Sequence, residues 1–210
     1  MKTIVYVDGF NLYYGAVKGT PYKWLDLRAL FRSILAPHHQ IIEIRYYTAI
    51  VSARVSDPDI PMRQMAYLHA LQAYIPELSI VKGHYLSSVV TMMLESPING
   101  QRFARVHKTE EKGSDVNLAL HLLHDAWRNA YDCAVVVSND SDLSEALRIV
   151  KTELHKKIIL LVPGDPKVRR PSAQLRRYAN KTISIPAAAI AACQLPNPIL
   201  GTTLHKPAAW

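Results

Sequence analysis

The sequence predicts an α/β fold, a mostly parallel sheet sandwiched by helices with an edge β-hairpin. Three observations predict it. Short apolar, β-branched runs (KTIVYV at residues 2–7, VVV at 135–137, IILLV at 158–162) alternate with segments of helical apolar spacing. Such runs read as strands buried on both faces, the condition of a parallel sheet covered by crossover helices. The strand Cys133–Ser138 stops abruptly at Asp140 and Asp142, and an apolar-periodic helix starts at once. Asn99-Gly100, between two strand-like segments, is the strongest short hairpin signal.

Composition sets the bounds. The chain has 210 residues, 49% hydrophobic and 20% charged, enough for one α/β domain with a substantial core. No apolar run reaches the ~18 residues of a membrane span, and no basic-then-apolar leader opens the sequence. Two cysteines, Cys133 and Cys193, make neither a disulfide framework nor a zinc site. A soluble protein of the reducing cytoplasm is expected.

The elements follow in order. Lys2–Val7 is a strand that ends at Asp8-Gly9-Phe10-Asn11, with Asn11 as N-cap of a helix over Leu12–Val17. Asp26–Leu35 shows helical spacing, and Ile41–Val51 is rich in β-branched and aromatic residues. Pro61 suits the first position of a helix running to about Tyr74. Leu78–Val81 is a short strand. Tyr85–Met93 and Arg102–Lys108 form the hairpin, an edge decoration on a βαβ core. Val116–Arg128 is a helix whose apolar stripe (Leu118, Ala119, Leu122, Leu123, Ala126) includes Asp115 at its first turn. Its opposite stripe, Asn117, His121, His124 and Arg128, reads as a solvated face. Leu143–Leu154 is a helix, Ile158–Val162 a strand, Pro171–Ala179 a short helix and Thr182–Ile185 a last short strand. Residues 1–185 then form the domain. Residues 186–210 are a Pro/Ala-rich tail, read either as a flexible extension or as a segment docked on a partner.

The acids are the informative residues. Ligands in open α/β sheets bind beyond the carboxyl ends of the strands. Asp8 and Asp140 end strands there. The helix that starts at Asp115 returns antiparallel to the next strand, so its N-terminus lies over the same edge. About 15 helical residues rise roughly 22 Å and six strand residues roughly 20 Å, which makes the return the right length. Separate segments thus bring three or four mutually repelling carboxylates to one rim, an arrangement that a hard divalent cation explains. Structural readings stand beside this one. Asp142 begins a D-x-x-E capping box, and Asp140 suits an Asx-turn.

The net charge of +8 is concentrated. Nine basic residues between Lys151 and Lys181 stand against Glu153 and Asp165. This clustering suggests a polyanion, nucleic acid first, against the alternative of solvated surface charge.

VYVDGFNLYY near the N-terminus, EEKGSDVNLAL before the central helix and VVVSNDSDL after the central strand resemble the NYN domain, a branch of the PIN-like nucleases. The later Pro-Gly and Ser172–Ala179 segments are similar to the family's C-terminal portion, so the resemblance spans about residues 2–185. It implies a Rossmann-like (PIN-like) sheet and a Mg²⁺- or Mn²⁺-dependent ribonuclease. Carried over by motif, the metal and catalytic cluster is Asp8, Asp115, Asp140 and Asp142, assisted by Asn11 and Ser138. One departure is His121, where many relatives have a further aspartate.

The expected function is therefore phosphodiester hydrolysis, with RNA the favoured substrate and DNA second. Asn11 and Ser138 would orient water or a phosphate oxygen. Lys151, Arg169, Arg170, Arg176 and Arg177 would bind the backbone. Tyr13, Tyr14, Tyr46 and Tyr47 would either stack bases or pack in the core. The rivals are a nucleic-acid-binding module with a weak or inactive acidic site, and a different metal-dependent phosphoryl enzyme. No G-x-x-x-x-G-K motif supports nucleotide triphosphate use.

Overall fold

The computed structural model of the chain describes residues 1–53 and 55–210. The first half builds β1 (Lys2–Asp8), α1 (Gly9–Leu12) continued by a π-helical turn (Tyr13–Val17), α2 (Leu27–Ile34), β2 (Gln40–Thr48), α3 (Ile60–Tyr74) and β3 (Leu78–Lys82). There follow β4 (His84–Ile98), β5 (Gln101–Lys112), α4 (Ser114–Trp127) and β6 (Cys133–Val137). A 3-10 turn (Ser141–Leu143), α5 (Ser144–Thr152), β7 (Lys157–Val162), α6 (Ala173–Tyr178), β8 (Lys181–Ser184) and α7 (Ala187–Ala192) complete it.

Six strands form one sheet in the order β3-β2-β1-β6-β7-β8, every neighbouring pair parallel. The chain winds outward from β1 in one direction, then returns to place β6 on the other side. That reversal makes a crevice at the carboxyl ends of β1 and β6.

The two-residue period of β1 divides the core. Val5 and Val7 face α2, α3 and the tail, among Leu30, Phe31, Leu71 and Ile190. Ile4 and Tyr6 face α4, α5 and α6, among Leu118, Leu147 and Leu175. Each such buried aliphatic side chain contributes about 1.5–3 kcal/mol, and the double burial explains why these strands read as continuous apolar runs rather than alternating ones.

Several expectations are corrected. The second strand ends at Thr48, not Val51. The hairpin, as expected, stands apart from the main sheet, and its strands pair as a two-stranded sheet of their own. It turns at Asn99 (φ 49°) and Gly100 (φ 78°), the paired positive angles of a type I′ turn. His121, on the stripe expected to be solvated, is half-buried, with its Nδ1 3.0 Å from the Tyr47 hydroxyl. The buried set on α4 is Ser114, Leu118, Leu122, Asp125 and Ala126. Asp125 escaped the reading because its charge is matched by Tyr6 and Arg45, both remote in sequence.

The segment after residue 186 packs on the chain itself. Ile190, Leu195 and Ile199 enter the first core, Leu25 bridges to Gln194, and the Trp210 ring meets Trp24 and Tyr67 edge-on.

Candidate active site

Register explains the centre of the site. Val7 pairs with Val137 across β1 and β6, so the next residues, Asp8 and Ser138, stand side by side at the carboxyl edge. Ser138 Oγ donates to Asp8 Oδ2 at 2.9 Å and accepts the Asp140 N–H at 3.0 Å. Ser138 is wholly buried with its hydroxyl occupied in both directions, so it positions Asp8 and the Asp140 loop rather than facing a substrate.

Both aspartates are also helix caps. Asp8 Oδ1 accepts from Asn11 N at 2.8 Å and caps α1. The expected cap, Asn11, instead lies inside the helix. Asp140 Oδ1 accepts from Asp142 N at 3.0 Å and caps the 3-10 turn. Asp142 therefore makes no capping bond to α5, whose N-cap position is Leu143. Capping fixes the orientation of each carboxylate at the crevice: Asp8 has both oxygens engaged, by Asn11 N and Ser138 Oγ, and Asp140 has its Oδ1 engaged by Asp142 N.

An open cleft of about 510 Å³ lies over this edge. Asp8, Asn11, Asp115 and Asp140 line it, while Asp142 is exposed outside the lining. Glu111, near the end of β5, is a fourth carboxylate in the wall. Sequence reasoning passed over it because the hairpin's fold-back onto the sheet edge is not visible in a strand pattern. Its Oε1 accepts from Ser114 N and Oγ at 3.1 and 2.7 Å, tying the hairpin's base to the start of α4.

The electrostatics follow from crowding. Burial raises the Asp115 carboxyl to about 6, helped by the charges of Asp8, Asp140, Glu111 and Asp142. Burial also raises Asp8, against the lowering effect of its bonds from Asn11 and Ser138. Among the described residues, no three His, Cys, Asp or Glu side chains converge closely enough to hold a metal ion directly. The donors are nevertheless of the right kind: oxygen ligands in net negative excess around an open cleft suit a hard cation that keeps part of its water.

Of the basic residues, Arg169 reaches the site. Its Nη2 donates to Asn11 Oδ1 at 2.7 Å. Arg170 contributes its carbonyl, which accepts from Asn139 Nδ2 at 3.1 Å. Arg176 and Arg177 are exposed on α6, and neither they nor Lys151 on α5 line the cleft. Tyr46 and Tyr47 are buried, whereas Tyr14 is exposed at the cleft.

A parallel α/β sheet with an acid-lined crevice at its strand-order reversal defines the PIN-like, nuclease-type class. The chain belongs to the NYN domain family, whose model matches residues 2–186. Nucleases of this kind generally use divalent metals. Over an alignment of 235 positions, covering the whole chain and 75% of the relative, it is 34% identical to the 6-hydroxy-3-succinoylpyridine 3-monooxygenase HspA of Pseudomonas putida (strain DSM 28022 / S16). A solved protein of unknown function from Vibrio parahaemolyticus RIMD 2210633 shares the fold, with a TM-score of 0.56 at 18% identity. That match covers 88% of this chain and 93% of the other.

Proposed function

We propose that the chain is a Mg²⁺- or Mn²⁺-dependent nuclease of the cytoplasm, with RNA its preferred substrate. The observation that carries this reading is the convergence of Asp8, Asp115, Asp140 and Glu111 on one open cleft, with Arg169 bonded into its wall. Asp8, Asp115 and Asp140 would hold the ion, partly through water, with Asp142 outside them. The chemistry it supplies when bound is Lewis-acid activation of water and neutralisation of charge on the phosphodiester. Ser138 holds Asp8, and Asn11 holds Arg169, so the acids and the guanidinium keep fixed relative positions. The exposed cations of α6 supply attraction to the backbone that four acids alone would repel.

Labelled single-stranded RNA and DNA, incubated with Mn²⁺ or Mg²⁺, test this with wild type and Asp140→Asn. Metal-dependent cutting lost in the variant supports it. Equal cutting by both proteins sinks it, and metal-independent binding without turnover favours a regulatory binding module.

The monooxygenase relative favours a second reading, because its similarity spans the whole chain. By its name that protein acts on a succinoyl-substituted hydroxypyridine. In this reading the same crevice takes a small heteroaromatic acid in place of a polymer. Consumption of 6-hydroxy-3-succinoylpyridine with RNA left intact would replace the nuclease proposal.

A further inference from the structure

A second cavity, of about 180 Å³, opens beside the acidic cleft and shares Phe10, Tyr14 and Val51 with it. Its walls are rings: Phe10, Tyr13, Tyr14, Tyr46, Tyr67 and Trp210. Apolar cavities of about 150 Å³ take a benzene-sized ring, so a planar aromatic group fits here.

Two observations say more about the occupant. Tyr46 is only 7% exposed, and its hydroxyl makes no hydrogen bond among the described residues although it lines the cavity. Opening onto the cavity, that hydroxyl can donate to a ligand acceptor placed there. The cations at the mouth are also unbalanced. Arg63 is paired with Asp57, but Lys18 and Lys23 form no ion pair among the described residues. Lys18 lies over the exposed Tyr14 ring, 5.0 Å from its centroid. Ring walls, a tyrosine hydroxyl open to the cavity and two ammonium groups outside any ion pair among the described residues form one composite surface.

We propose that this cavity binds a planar aromatic ring carrying an anionic group. The ring lies between Tyr14 and the inner tyrosines, the Tyr46 hydroxyl donates to a ring heteroatom or carbonyl, and Lys18 and Lys23 face the anion. The inference deepens the nuclease reading and rests on it in one respect: there the ring is the base next to the scissile phosphate. Base and phosphate of a nucleotide, or ring and carboxylate of a small aromatic acid, share this chemistry.

Calorimetric titration in EDTA separates the site from turnover and from the metal. The probes are adenosine 5′-monophosphate, adenosine, ribose 5-phosphate and pyridine-3-carboxylate. The proposal expects a ring-plus-anion probe to bind better than adenosine or ribose 5-phosphate alone. Tyr14→Ala should weaken it about tenfold or more, and Tyr46→Phe and Lys23→Gln by smaller factors. Tyr14 and Lys23 lie at the mouth, so loss of fold does not mimic their effect. Preference for the nucleotide assigns the source as nucleic acid. Preference for pyridine-3-carboxylate keeps the cavity as a ring-and-anion site and turns the substrate toward a small acid. If no ring-bearing probe binds, or all three variants bind as wild type does, the proposal is overturned. Ring binding that persists while the Asp140→Asn comparison shows no cleavage sinks the nuclease reading alone.

Discussion

The guanidinium of Arg169 donates to the Asn11 carboxamide at 2.7 Å across 158 residues of sequence. The same Oδ1 accepts the backbone N–H of Asn139 at 3.2 Å, and the Asn139 carboxamide oxygen accepts Ser172 N at 2.7 Å. Two asparagines therefore lace the start of α1, the loop after β6 and the basic segment into one unit. The Arg169 guanidinium is thus held beside the cleft by the fold and not merely attracted to the acids.

Arg169→Ala should accordingly act differently from a surface charge change. A hydrogen bond to a charged group contributes about 1.5–3 kcal/mol, roughly a tenfold to hundredfold effect. Cleavage should slow by that factor, and the slope of log affinity against log salt should fall by about one. Arg177→Ala, exposed on α6, should weaken binding and reduce the slope while sparing the single-turnover rate. Anisotropy titrations across a salt series and single-turnover cleavage compare them, and identical behaviour would deny Arg169 its place in the site.

Asp115 links stability to pH. Its folded carboxyl titrates at about 6 against an ordinary 3.8, so the folded state holds the proton more tightly than the unfolded chain. The stability from that proton is fully present below about pH 4 and is lost as pH rises through about 6. Above that, ionised Asp115 repels Asp8, Asp140 and Glu111. Because the group is half exposed, the penalty is on the order of 1 kcal/mol after solvent screening. Asp115→Asn should then raise Tm by about 2–4 °C at pH 7.5 in EDTA, with no gain at pH 4, while removing cleavage. Thermal scans at both pH values measure this. An unchanged Tm at pH 7.5 would mean the acids do not strain the metal-free fold.

Gly9 tests how tightly Asp8 is placed. A Cβ at Gly9 would stand 2.7 Å from the Tyr46 ring and 2.7 Å from the Tyr47 carbonyl oxygen. Neither neighbour is a flexible chain end, so β1 or β2 must shift. Gly9→Ala should cost about 1–3 kcal/mol, as overpacking does. Since the shift occurs next to Asp8, cleavage per folded molecule should drop further than stability does. Denaturant unfolding alongside specific activity separates the two. A stable variant with full activity would show that the packing around Gly9 does not position the acid.

The legible part of the molecule was whatever short-range pattern decides. A β-branched run flanked by helix periods can bury itself in few ways, so β1, β6 and β7 were found nearly to the residue. With those strands placed, Asp8, Asp115 and Asp140 had to share an edge. What stayed hidden depended on tertiary partners. Capping by Asp140 rather than Asp142 turns on which of two acids keeps β-region backbone angles at the strand's end. Glu111 reached the cleft through a long hairpin whose docking no local signal encodes. His121 looked fully solvated because Tyr47, the hydroxyl 3.0 Å from its Nδ1, lies on β2, remote in sequence from α4.

Asp125 is the strongest example and supplies the last prediction. It lies on α4 among apolar neighbours, 6% exposed, with its carboxylate accepting the Tyr6 hydroxyl at 2.7 Å and Arg45 Nη1 2.8 Å away. Burial, and next the bond to Asp125, push the Tyr6 hydroxyl far above its ordinary value, so it donates at every physiological pH. Arg45 also pairs with Glu43, 2.8 Å away, so removing Asp125 orphans the buried Tyr6 hydroxyl and one bond to the guanidinium, which costs about 1.5–3 kcal/mol. Asp125→Ala should therefore lower the unfolding free energy by that amount, whereas Tyr6→Phe, which leaves the Arg45 pair intact, should cost about 1–2 kcal/mol. Asp125 is away from the cleft, so the fraction of Asp125→Ala that remains folded should cut at the wild-type rate. A double-mutant cycle in urea checks the coupling. If the two losses simply add, Tyr6 and Asp125 are independent, and the network joining β1, β2 and α4 does not act as a unit.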